Sequence, residues 1–97
     1  MRLRFTPRAI ADLIAIADYL HEHNPAASRR VRTDIYDNLQ NLLLFPSVGR
    51  KQNVEDVRKF VTRKYAYLVY YTVDETAEEV VILNVKHPAR WREHQDA

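Results

Sequence analysis

The sequence predicts a single α+β domain: a short N-terminal strand, an antiparallel helical hairpin, then a three-stranded antiparallel meander that completes a small sheet. Three observations carry this expectation. Two segments of helical periodicity in the first half each begin with a capping residue followed by proline, Thr6-Pro7 and Asn24-Pro25. From Val57 onward the composition shifts from Leu and Ala toward Val, Ile, Tyr and Phe, the residues that suit a pleated surface. With 97 residues and no linker or repeat, the chain spans one domain, residues 1–97.

Residues 2–5, Arg-Leu-Arg-Phe, alternate basic with apolar, as a short strand with one buried face does. Thr6 and Pro7 then open a first helix over residues 7–23, with Ile10, Leu13, Ile14, Ala17 and Leu20 as its apolar stripe. Asn24 and Pro25 open a second helix whose stripe is Val31, Ile35, Leu39, Leu42 and Leu43. Arg29, Arg30, Arg32, Asp34 and Asp37 are expected on its other sides. A connection this short makes the pair antiparallel. Pro46-Ser47-Val48-Gly49-Arg50 reads as a turn, with the only glycine of the chain expected to supply an unusual backbone angle.

Three strands are expected at 57–62, 65–73 and 79–85, joined as successive hairpins. The second and third are apolar on both parities, so both faces need cover. The helical hairpin covers one. The other, expected to be aromatic, is left for a ligand or a partner.

Composition excludes several classes of function. There is no Cys, hence no disulfide framework, no thiolate metal site and no Cys nucleophile. A single Gly excludes the glycine-rich loops that cradle phosphates. No apolar run of signal or membrane-span length is present, so cytoplasmic residence and no membrane partner are expected. His21 and His23 lie about 200° apart around a helix and cannot share one ion, so no metal is expected. A formal net charge of +2 says little as a total, but the cations are unevenly spread. Arg50, Lys51, Arg58, Lys59, Arg63 and Lys64 cluster before the second strand, and Lys86, His87, Arg90 and Arg92 follow the last. Arg58, Lys86, His87 and Arg90 stand equally well as a phosphate-facing set or as solvated edge residues. Trp91, in a polar tail, has the character of a binding anchor.

The segments "ADLIAIADYLHEHNPAASRRV", "LLLFPSVGR", "VRKFVTRKYAYLVYY" and "VVILNVKHPARW", in this order, resemble the RelE/ParE superfamily of type II toxin-antitoxin toxins. Asn24-Pro25-Ala26-Ala27, Pro46 with Gly49-Arg50, Tyr67-Leu68-Val69-Tyr70 and Val85-Lys86-His87-Pro88-Ala89-Arg90 carry most of the likeness. The resemblance implies a toxin without cofactor, neutralised by a cognate antitoxin, with promoter DNA contacted only through that antitoxin. RelE-like members cleave mRNA on the ribosome, whereas ParE-like members poison DNA gyrase. Tyr67 stands where RelE-like enzymes place a catalytic Arg, Pro88 where a second is expected, and no Tyr follows Tyr71. These departures, with the long helical hairpin, favour a ParE-like gyrase inhibitor. The alternatives are a RelE-like ribosome-dependent endoribonuclease, with His87 moving the proton and Arg58, Lys86 and Arg90 holding phosphate, or a degenerate toxin that only binds antitoxin. Target contact is expected from Arg58, Lys86, His87, Arg90, Trp91 and Arg92, and antitoxin contact from Leu13, Tyr19, Tyr36, Leu44 and Phe60.

Overall fold

The computed structural model describes residues 1–88. Its elements run β1 (Arg2–Phe5), α1 (Pro7–His23), α2 (Pro25–Leu44), β2 (Arg50–Lys51), β3 (Arg58–Val61), β4 (Leu68–Asp74) and β5 (Glu79–Lys86). The five strands form one sheet in the order β1-β5-β4-β3-β2. β1 lies parallel to β5 and every other pairing is antiparallel. The helical hairpin packs on one face of this sheet, and the core between them is built from Ala9, Val31, Ile35, Leu39, Leu42, Val69, Tyr71, Val80 and Ile82.

Both helix starts are capped as the sequence indicates. Thr6 Oγ1 accepts a hydrogen bond from Ala9 N (3.1 Å) and also donates to Leu83 O (2.8 Å), so one hydroxyl starts α1 and ties it to β5. Asn24 Oδ1 accepts from Ala27 N (3.2 Å) while its own N–H donates to Leu20 O (2.7 Å), ending one helix and starting the next within one residue.

The face that α1 buries differs from the expected stripe. Ile10 and Ile14 are 48% and 56% exposed, whereas Ala9 is fully buried and Leu13, Ile16 and Leu20 pack on the core. The helix is thus turned by about 60° from the sequence reading, at 100° per residue. Asp12 supplies the reason. β1 ends at Phe5, opposite Ile82, which leaves the rest of the β5 edge without a strand partner. Asp12 Oδ2 accepts from Val85 N there (3.0 Å), and holding Asp12 against the sheet fixes the rotation of α1.

Asp34 also departs from expectation, for it is buried rather than outward. Asn38 Nδ2 donates to the Asp34 carbonyl (2.6 Å) and to Asp34 Oδ1 (3.0 Å), and Asn38 Oδ1 accepts from Arg63 N (3.3 Å). This polar ladder joins α2 to the β3–β4 turn; Asp34 Oδ2 is left without a hydrogen-bond partner among the described residues.

The strands agree with their expected places, with three differences. β2 is a two-residue strand that the sequence does not signal. β4 begins at Leu68 rather than Tyr65, because Ala66 takes a left-handed angle (φ 59°) and closes a turn in which Thr62 Oγ1 accepts from Tyr67 N (2.9 Å). A bulge at Tyr70/Tyr71 shifts the β4–β5 register. Because of the pleat, Val69 and Tyr71 face the helices while Leu68, Tyr70 and Thr72 line the opposite, open face. The open face is therefore less aromatic than expected, since Tyr67 and Tyr71 belong to the helical side.

Candidate functional site

Arg58 was expected at a target surface, and the structure shows what else it does. Its Nη1 donates to Gly49 O (2.8 Å) and Ser47 O (3.2 Å) in the turn after α2. Tyr71, fully buried on the neighbouring strand, binds the same turn: its hydroxyl donates to Pro46 O (2.7 Å) and accepts from Gly49 N (2.9 Å). Burial pushes the Tyr71 phenol above its ordinary pKa, an effect the Gly49 N–H and the Arg58 charge partly offset. Gly49 does not take a positive φ, which corrects the expected role of this residue. A Cβ there would sit 2.6 Å from the Tyr71 hydroxyl oxygen and 2.7 Å from the ring, so glycine is required by close approach.

Lys86 and His87 close β5. Lys86 pairs in register with Leu68 and so shares the open face, with Nζ 5.1 Å from the centre of the Tyr70 ring. His87 packs edge-on against Tyr67, with ring centres 5.3 Å apart and planes at 86°. Tyr67 is buried. Arg58 pairs with Tyr71 and hence faces the helical side, three positions along β3 from Val61, the residue in the row of Leu68 and Lys86. The fold thus brings Lys86 and His87 to one end of the sheet and places Arg58 on the other face and further along. Arg90, Trp91 and Arg92 lie outside the described residues.

The expected antitoxin contacts divide between two surfaces. Leu13 and Tyr36 line a groove of about 190 Å³ between α1 and α2, floored by Ile16, Ile35 and Leu39 and bordered by Arg32. Tyr36 is 61% exposed there. Phe60 lines a second concavity, with Phe45, Val48 and Val61, beyond the end of α2. Leu44 stands exposed beside Phe45. Tyr19 is exposed on α1 and stacks on His23, with ring centres 4.1 Å apart. Lys59, Tyr70 and Asn84, one row across the open face, were missed in the sequence reading. Strand parity was the signal that could have grouped the first two.

Among the described residues no three His, Cys, Asp or Glu side chains gather as metal ligands, and no helix is long and apolar enough to cross a membrane.

The structure defines the class as a small α+β domain, with a helical hairpin on one face of the sheet, an apolar groove between the helices and a basic strand end, and comparison with known proteins specifies the family. Residues 3–90 match the model of the ParE toxin of the type II toxin-antitoxin system parDE, and the chain belongs to that family. It is 31% identical over 86 residues to the toxin RelE2 of Caulobacter vibrioides, spanning 89% of this chain and 93% of that one. It is 30% identical over 86 residues to the protein Y4kP of Sinorhizobium fredii, spanning 89% and 86% of the two chains. Among solved structures, a chain of the chromosomal ParDE system from P. aeruginosa superposes with a TM-score of 0.76 at 26% identity, over 90% of this chain and 95% of that one. A chain of the E. coli RelBE toxin-antitoxin complex has the same fold, with a TM-score of 0.64 at 20% identity over 87% and 92% of the chains.

Proposed function

We propose that this toxin inhibits DNA gyrase in the cytoplasm and is held inactive by a cognate antitoxin seated on the helical hairpin. The observation that carries the choice of gyrase over ribonuclease chemistry is Tyr67. By the resemblance, Tyr67, the residue just before β4, stands where RelE-like enzymes carry a catalytic Arg; its ring is buried, and Arg58, the β3 cation on the helical side, is bonded to turn carbonyls. A phosphodiester cleaved without fixed cations at the reacting phosphate loses electrostatic stabilisation, usually the largest catalytic contribution. The antitoxin reading is supported by the groove at Leu13 and Tyr36, whose apolar walls and single bordering cation, Arg32, suit an amphipathic helix with one carboxylate.

Induction of the toxin without its antitoxin is expected to stop growth, and the purified chain to inhibit supercoiling by gyrase. Codon-mapped mRNA cuts by primer extension, with supercoiling unaffected, would replace this reading with the ribonuclease. No growth defect at all would leave only the binding module.

A further inference from the structure

The open face of the sheet carries a polar and aromatic grouping that lies apart from the groove between the helices. Lys59, Tyr70 and Asn84 lie side by side on β3, β4 and β5. Lys86 follows two positions after Asn84 on the same face, with its ammonium over the Tyr70 ring at 5.1 Å. From strand spacing and rise, the two lysines stand about 12 Å apart at Cα with the tyrosine between them. All four side chains are half-buried, so their reach is restricted. Lys59 makes no ion pair among the described residues, and the Asn84 amide no hydrogen bond. The opposite end of the same face is different in kind: Glu79 there accepts from Arg2 (3.2 Å) and Arg4 (3.1 Å), which offsets part of that positive charge.

Two cations bracketing an aromatic ring on a sheet face, with an amide in reach of a base edge, is an arrangement that can hold single-stranded nucleic acid. Phosphates meet the lysines, a base lies against the tyrosine, and the amide offers both donor and acceptor. A duplex presents no unstacked base to such a face. We propose that Lys59, Tyr70, Asn84 and Lys86 form a binding site for single-stranded nucleic acid on the open face of the sheet. The proposal concerns the face opposite to that of Tyr67 and the helical groove, and it shares only Lys86 with the expected target contacts.

The test is fluorescence anisotropy of the full chain with labelled 15-mers of dT and rU, duplex DNA of equal length and a polyglutamate peptide, at 50 to 200 mM salt. Single strands are expected to bind more tightly than duplex or polyglutamate. With two phosphates engaged, log K should fall against log salt with a slope of about −1.4, or about sevenfold over this range. Lys59→Ala and Lys86→Ala should each reduce the slope by about half, while Tyr70→Ala should weaken binding about tenfold at unchanged slope. Comparison of dT with rU distinguishes DNA from RNA as the source. Equal or tighter binding of duplex or polyglutamate, no binding at 50 mM salt, or an unaltered slope in the folded Lys59→Ala/Lys86→Ala double variant overturns the proposal. If a variant does not fold, a salt slope near zero for the unaltered chain does so by itself. Gyrase inhibition retained in a variant that no longer binds single strands would separate this site from the gyrase reading.

Discussion

Tyr71 and Gly49 show how one buried hydroxyl fixes the path of a turn. The phenol answers a carbonyl and an N–H that would otherwise be buried unpaired where the chain leaves α2. Tyr71→Phe keeps the ring and removes both bonds, so a loss of about 1 to 3 kcal/mol is expected in urea unfolding. Gly49→Ala should destabilise at least as much, by forcing a methyl to within 2.6 Å of the hydroxyl oxygen. The same residue sets an alkaline limit. Because the folded-state pKa is raised, the contribution of Tyr71 is fully present below the unfolded value of about 10, and it is lost as pH rises through the higher folded value. Stability followed by circular dichroism should fall above pH 10, and Tyr71→Phe should remove part of that fall; an unchanged alkaline profile in the variant would show that another group governs it.

At the scale of elements, the structure depends on short polar side chains at helix ends and at the sheet edge. Asn24 caps α2 and Thr6 caps α1, but Thr6 also bonds β5. Asn24→Ala should cost about 1 kcal/mol, and Thr6→Ala more, because a contact between elements goes with the cap. Asp12→Ala leaves Val85 N without its acceptor and should loosen α1 against β5, visible as faster amide exchange at Val85. Both caps were legible in the sequence as capping residue plus proline. The role of Asp12 was not, because a carboxylate on a helix reads as solvated until the strand that needs it is in place. The stripe of α1 was misread for the same cause: Ile, Leu and Ala occupy enough of its circumference that several rotations bury apolar surface, and a single sheet contact chooses among them.

For the whole molecule, what stays exposed matters as much as what is buried. Ile10 and Ile14 join Tyr36 as apolar surface on the helical hairpin, close to the groove at Leu13. This is where the toxin should gain most from a partner. Tyr36→Ala should leave folding nearly unchanged and weaken capture by the antitoxin at least tenfold in calorimetry, the size expected for an aromatic anchor. Full affinity in that variant would move the interface elsewhere. The sequence by itself determined the order of the elements other than β2, both helix starts, the toxin family and the absence of thiolate chemistry, because these follow from composition, local capping, periodicity and motif order. Only the tertiary structure decided which face α1 buries, why Gly49 is glycine, and that Arg58 and Lys86 stand on opposite faces. Each of those depends on which strands become neighbours and on the parity of their register, and neither is encoded within a single segment of chain.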